Sequence, residues 1–172
     1  MTARISRENG LLVMDAGRLT LREQSPAAAA VLADAGTAGF DWLDGAPGSG
    51  TQIAGKMVMT AAEAGVFAPG WGLFVIQRTE DGAAIGGIGF HGPPADGAAE
   101  IGYDLTESAR GAGWATDAVA AISQWALSLP SVHTVLACTD PGNQASQRVL
   151  TRAGFTRVAD RDSLWAYELT SL

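Results

Sequence analysis

The chain has 172 residues, 47% of them apolar, with 18 acidic against 11 basic side chains and a net charge of -7. One domain, 1–172, fits that length, and the apolar share is enough for a core, which excludes a disordered tail or a disulfide-stapled mini-protein. The lone Cys138 excludes an internal disulfide and a Cys-based zinc site, and the acidic balance opposes direct binding to nucleic acid.

The first residues lack a basic n-region and an apolar h-region, so no secretory leader is expected and the expected compartment is a reducing cytoplasm. Arg18 to Glu23 alternates apolar and polar side chains, as a half-buried first strand does. Ser25-Pro26 supplies an N-cap and a first-turn proline for an alanine-rich helix to Ala35. Gly36 to Gly50 reads mostly as loop, with Trp42 and Leu43 as anchors, and Thr51 to Ala64 as a second helix stopped by Gly65.

Trp71 to Gln77, Ala83 to Phe90 and Ala99 to Leu105 read as three strands of an antiparallel meander, with turns at Glu80-Asp81-Gly82 and at His91 to Gly97. Gly113 to Leu127 follows as a helix, its stripe formed by Trp114, Ala118, Ile122, Trp125 and Leu129. Ala118 to Thr139 carries no Asp, Glu, Lys or Arg, but Ser123, Gln124, Ser128, Pro130 and His133 make it a helix, a break and a strand rather than a membrane span. Thr134 to Cys138 is a buried strand and Gln144 to Ala153 a helix stopped by Gly154. Thr156 to Ala159 and Leu164 to Leu169 close as a strand pair. The sum is one mixed α/β sheet domain.

The loop between the third meander strand and the following helix has the makings of an anion site. Gly111 and Gly113 let backbone N–H groups approach a ligand, the free N–H groups of the helix's first turn point the same way, and Arg110 adds a full charge. Two phosphate signatures fail. Gly111 to Thr116 lacks the last small residue of G-x-G-x-x-G, with no acidic ribose partner downstream, and no lysine stands near for a Walker loop. A flavin or nicotinamide oxidoreductase is disfavoured for that reason.

Asn143 to Phe155 follows the next buried strand. In this order the two segments resemble the GNAT superfamily of acyl-CoA-dependent N-acyltransferases. Arg110-Gly111-Ala112-Gly113-Trp114-Ala115 is similar to its R-G-x-G-x-A pyrophosphate loop. Asn143, Ser146, Gly154 and Phe155 are similar to its second motif, an asparagine, a serine three residues on and a closing Gly-Phe. Glu100-Ile101-Gly102-Tyr103 and the opening Arg18 to Arg22 resemble the RimJ/RimL-type branch. The sequence departs from the pattern at Ala112, often basic in relatives, and at Leu150, where many relatives place a proton-donating tyrosine.

The resemblance implies a single GNAT-like α/β (α+β) domain, with a mixed, largely antiparallel central sheet of about seven strands flanked by helices. It also implies that the sheet is splayed in its middle to admit acyl-CoA. Acetyl-CoA is then the co-substrate, with no metal. The implied contacts are the main chain of Tyr103 and Leu105, the loop Arg110, Gly111, Ala112, Gly113, Trp114 and Ala115, and Asn143 and Ser146. The acceptor is a protein N-terminus or a small-molecule amine, no membrane or nucleic-acid partner is implied, and a homodimer is the family expectation.

The implied reaction needs a neutral amine, and holding an alkyl ammonium of pKa about 10 in its neutral form at pH 7 costs roughly 4 kcal/mol. Glu100 is the candidate base and Ser146 the candidate proton donor to the leaving thiolate. Asn143 serves equally well as a plain N-cap. His91 and His133 read as loop and structural residues, Cys138 as inert core, and Trp42, Trp71 and Trp165 as packing or acceptor-groove residues. The early helices and last strand pair, about 36–70 and 160–169, are expected to build the acceptor pocket. The competing reading is a non-catalytic acyl-CoA-binding module that keeps the cradle without the chemistry.

Overall fold

Asn9 and Gly10 both take left-handed backbone, at φ 52° and 81°, and join the first two strands in a tight hairpin. The computed structural model describes residues 2–171. That hairpin, β1 (Arg4–Glu8) and β2 (Leu11–Asp15), precedes the strand expected to be first, β3 (Leu19–Glu23), so among the described residues the sheet has nine strands rather than about seven. The signal was present as Asn9-Gly10, the dipeptide this turn favours. It was easily missed because every residue of β1 is exposed and shows no apolar alternation.

The remaining elements lie within two residues of their expected limits. They are α1 (Pro26–Ala33), α2 (Ser49–Glu63), β4 (Leu73–Arg78), β5 (Ala84–Phe90), β6 (Ala98–Leu105), α3 (Trp114–Leu127), β7 (Thr134–Thr139), α4 (Gln144–Arg152), β8 (Thr156–Arg161) and β9 (Leu164–Thr170). The sheet order is β1-β2-β3-β4-β5-β6-β7-β9-β8, and every neighbouring pair is antiparallel except β6 and β7. Among the described residues no helix is long and apolar enough to cross a membrane.

Both sheet faces are covered. On one, α1 and α2 pack over Leu73, Val75 and Ala84, with Trp42 (4% exposed) anchoring the long loop as expected and Leu43 left exposed. On the other, α3 lays Ala118 and Ile122 against Leu21, Ile76, Ile88 and Ile101. Trp71, Phe90 and Trp125 form an aromatic cluster there, with ring centroids 4.8–5.8 Å apart. Trp71 is therefore packing, and Trp165 lies under the Arg157 guanidinium at 3.5 Å.

The helix starts show how local sequence and tertiary structure share the work. Ser25 Oγ accepts from Ala28 N at 3.1 Å, and Asn143 Oδ1 from Ser146 N at 3.1 Å, so α1 and α4 are capped from within. No local side chain caps α2; its N-terminus instead meets a carboxylate from β6, Asp104 Oδ2, 3.4 Å from Thr51 N.

A buried carboxylate ties the N-terminal hairpin to the rest. Glu23, 5% exposed, accepts from Leu12 N at 3.0 Å and from Gly70 N at 2.6 Å. Burial pushes its carboxyl above the ordinary 4.5 despite those bonds. Glu23→Ala orphans two buried N–H groups and is expected to lower stability by about 2–4 kcal/mol, read from urea unfolding. Because Glu23 binds its proton more tightly folded than unfolded, wild type gains stability relative to the variant as pH falls from 7 towards 4.5. The gap between the two unfolding midpoints should therefore widen on acidification through that window.

Candidate active site

The site is built where the one parallel junction of the sheet gives out. β6 and β7 pair from Ala98↔Thr134 to Ile101↔Ala137 and no further. Beyond that point β6 continues with β5 to Leu105, and β7 continues with β9 to Thr139. The two strands thus part company in the middle of the sheet, as the splayed fold requires.

The register decides which backbone groups this exposes. His91 N donates to Glu100 O and Thr106 N to Ile85 O, so the even-numbered residues of β6 turn their backbone groups to β5. Tyr103 and Leu105 turn theirs into the split. The Leu105 carbonyl accepts from Arg110 Nε and Nη2 at 3.2 and 3.1 Å, while the Tyr103 N–H and C=O and the Leu105 N–H remain available to an extended ligand. Both residues expected to act through their main chain therefore stand in position to do so.

A cleft of about 390 Å³ opens from the split between the N-termini of α3 and α4. Its walls include Tyr103, Leu105, Arg110, Gly111, Gly113, Trp114, Ala115, Asn143 and Ser146. Of the residues expected at the cofactor, only the exposed Ala112 is not one of its walls. Gly111 and Gly113 take φ 83° and 82°, which only glycine adopts without strain, and Gly113 is the residue that opens α3. The first bond of that helix runs from Asp117 N to Gly113 O. The N–H groups from Gly111 to Thr116 consequently donate to no acceptor among the described residues. Such a row of donors at a helix N-terminus fits a diphosphate.

Three cations were not foreseen here. Arg148 and Arg152 of α4, one turn apart, line the same cleft. Their spacing was the available signal, since residues four apart share a helix face. Arg18 lies under the loop: its Nε is 2.5 Å from Asp117 Oδ2, its Nη2 donates to Ala112 O at 3.2 Å, and its guanidinium covers the Trp114 ring at 4.1 Å. It holds the loop, and nothing in its local sequence announced that.

A second, smaller cavity of about 110 Å³ lies on the opposite face of β6, under α2. Ile53, Ala54, Met57 and Thr51 form one wall, and Gly87, Gly89, Gly102 and His91 another. Residues 160–169, expected to contribute to an acceptor pocket, are not among its walls, because β8 and β9 lie beyond β7. The buried Thr51 Oγ1 has no hydrogen-bond partner among the described residues. Both cavities reach Tyr103 and Asp104, so they meet across the free end of β6.

The candidate reactive groups flank that meeting point. Ser146 Oγ is 2.6 Å from the Tyr103 hydroxyl, and burial pushes the Tyr103 phenol up to about 12. Leu150 is fully buried in the core, away from solvent. Asn143 lines the cleft and also caps α4 through Ser146 N. Glu100 sits 3.2 Å from His91 Nδ1. His91, expected to be a plain loop residue, is thus a member of the site. Cys138 is half-buried, and burial raises its thiol. Among the described residues no group of His, Cys, Asp and Glu is arranged to hold a metal.

The site is thus a split mixed sheet with a row of free N–H donors at a cleft on one side and a small pocket on the other. Residues 18–156 match the acetyltransferase (GNAT) domain family, and the chain belongs to it. It is 32% identical over 87 residues to the uncharacterized N-acetyltransferase YjdG of Bacillus subtilis (strain 168), a match that takes in 50% of this chain and 52% of that protein. The aligned part is thus about half the length of that relative. RimL, a ribosomal L7/L12 alpha-N-protein acetyltransferase solved with coenzyme A, has the same fold at TM-score 0.64 and 19% identity, over 92% of this chain and 97% of its own. Mycobacterium smegmatis RimJ, solved with a CoA-disulfide, has it at TM-score 0.61 and 21% identity, over 99% and 88%.

The loop geometry is testable without any coenzyme. Gly111→Ala and Gly113→Ala should each cost about 1 kcal/mol of stability, from the left-handed backbone they force on alanine. Both should weaken inorganic pyrophosphate binding by calorimetry well beyond that penalty, because the strain re-aims the N–H groups.

Proposed function

We propose that the protein is an acetyl-CoA-dependent N-acetyltransferase that moves an acetyl group from the CoA thioester to a primary amine in a ternary complex. The observation that carries this is the free end of β6, where a large cationic cleft and a small pocket on the other face of the sheet meet. The donor set fits coenzyme A: the Gly111 to Thr116 N–H row for its diphosphate, Arg110, Arg148 and Arg152 for its charge, and the Tyr103 and Leu105 edge for its extended arm. When bound, the coenzyme supplies an activated acyl carbon.

The chain's own part is positioning and proton management. Orienting amine and thioester in one geometry supplies on the order of 7–11 kcal/mol in well-aligned cases. The ammonium form of the acceptor gives up a proton on the Glu100–His91 side, and its nitrogen lone pair forms the C–N bond. The C–S bond breaks with its electron pair going to sulfur. The nitrogen's second proton leaves as the amide forms, and the departing thiolate ends as a thiol, so that one proton is released per turnover.

On the cofactor side Ser146 holds its hydroxyl at the mouth of the cleft, and Tyr103 holds Ser146. A phenol raised to about 12 stays protonated across the working range, and its hydroxyl lies 2.6 Å from Ser146 Oγ and 3.3 Å from the Ser146 carbonyl; with Tyr103 as the donor to Oγ, the serine proton is free to point at the leaving sulfur. This pair can fill the proton-donor role that a leucine at position 150 cannot. The acceptor is a slender amine, since the pocket under α2 is small and walled by Ile53, Ala54 and Met57. A protein N-terminus, as in a RimJ/RimL-type enzyme, and a small-molecule amine both meet that condition.

The test is calorimetric titration with acetyl-CoA, with NADH as control, followed by thiol release over a panel of amines and N-terminal peptides. Acetyl-CoA binding with amine-dependent thiol release is expected; binding with no release across the panel would favour a non-catalytic acyl-CoA module. Ser146→Ala and Tyr103→Phe should each lower kcat with little change in acetyl-CoA affinity. Their effects should not add in the double variant, because they act as one unit.

A further inference from the structure

We infer that His91, rather than Glu100, is the group that takes the proton from the acceptor amine, and that Glu100 positions the imidazole from behind. The inference rests on the acetyltransferase reading above. His91 directly follows β5, and its N–H donates to Glu100 O at 2.9 Å, so the two residues are cross-strand neighbours with side chains on the same face. That face is the one covered by α2, the face of the smaller cavity.

The ring has a back and a front. Its Nδ1 is 3.2 Å from Glu100 Oε2. Its Nε2 points the other way, over Gly102, where a Cβ would come within 2.9 Å of it. Gly102 is the first residue of β6 beyond the last pair with β7, so Nε2 stands at the mouth of the split. The absent side chain of Gly102 is what leaves room for it there. His91 and Gly102 are walls of the acceptor-side cavity and Glu100 is not. A base has to come within hydrogen-bond reach of the proton it removes, and of this pair only the imidazole lines that cavity.

The chemistry of the pair agrees with this order. A neutral imidazole carries one N–H and one free lone pair. A carboxylate facing Nδ1 selects the tautomer with the proton on Nδ1 and turns the Nε2 lone pair towards the cavity, and it stabilises the imidazolium that forms. The proton balance is simple: R–NH3+ gives H+ to Nε2, leaving R–NH2 to attack, and the imidazolium returns H+ to water through its exposed edge, the side chain being 41% exposed. At 3.2 Å the two groups stand at ion-pair distance, and such contacts in unliganded sites commonly tighten as charge develops.

Two arms test the assignment. In the first, with a reactive amine from the panel, His91→Ala should lower kcat by about 10²–10⁴-fold with acetyl-CoA affinity retained, and added imidazole should restore part of it. Glu100→Gln should lower kcat less, and the double variant should be no slower than His91→Ala alone. Greater loss in Glu100→Gln than in His91→Ala, or His91→Ala at wild-type rate, would overturn the inference. Gly102→Ala should mimic His91→Ala, because its Cβ displaces Nε2, and a fully active Gly102→Ala would count against it.

The second arm needs no turnover. In ¹⁵N-histidine-labelled protein, with the two rings assigned by His91→Gln, neutral His91 is expected with its proton on Nδ1, and Glu100→Gln should shift that tautomer. A neutral ring protonated on Nε2 would sink the inference even in an active enzyme. If acetyl-CoA binds and no amine is turned over, the acetyltransferase reading falls, and the tautomer still decides whether Glu100 holds His91 as described.

Discussion

The end of β6–β7 pairing after Ile101 and Ala137 is the constraint on which the rest of the molecule depends. A sheet interior normally leaves no backbone group unpaired, because a buried N–H or C=O without a partner costs as much as a lost hydrogen bond. Here β6 keeps its partner on one side and gives it up on the other, and the Tyr103 and Leu105 backbone becomes an internal edge. An extended ligand can pair with that edge much as a strand would. The helix N-termini on one side of it and the pocket under α2 on the other derive their meaning from the same opening.

The split is held from both faces of the sheet. The Tyr103 hydroxyl meets Ser146 Oγ across the gap and so fixes the start of α4 over the opening. Asp104, the next residue, turns to the opposite face, caps α2 and lies 3.8 Å from the Arg110 guanidinium. Arg110 in turn holds the Leu105 carbonyl, and Arg18 ties the loop to α3 through Asp117. Arg18, Asp117 and Arg110 are 43–62% exposed and only Asp104 is largely covered, so each ion pair contributes little to stability on its own. Their effect is geometric: they hold the glycine loop, the end of β6 and the start of α2 around the opening. The acidic surface, net charge -7, leaves the arginines in the cleft as a local exception suited to a phosphate-bearing ligand.

Much of the fold was legible because its signals are local. Period-two alternation marked Leu19–Glu23, a Ser-Pro start marked α1, and Ala118 and Ile122 fell on a helical stripe that the structure buries. The β1–β2 hairpin escaped because its first strand is exposed throughout, so its only mark was Asn9-Gly10. The large cleft was largely legible for a similar reason: the two segments that line it are each contiguous, and glycine at left-handed positions leaves a trace in the sequence.

What the sequence by itself determined, then, was an acidic chain of mixed α/β type, a glycine loop before α3 and a second motif on α4, since each rests on residues within a turn or strand of one another. Only the tertiary structure decided that Arg18 supports that loop, that Arg148 and Arg152 join it, and that Tyr103 reaches Ser146 from 43 positions away. It also decided that His91, which reads as a turn residue, faces Glu100, and that the pocket opposite belongs to α2 and not to the last strands. The physical reason is the same in each case. These are contacts between side chains on different strands and helices, fixed by strand register and by where the sheet parts, and neither quantity is written in any one segment of the chain.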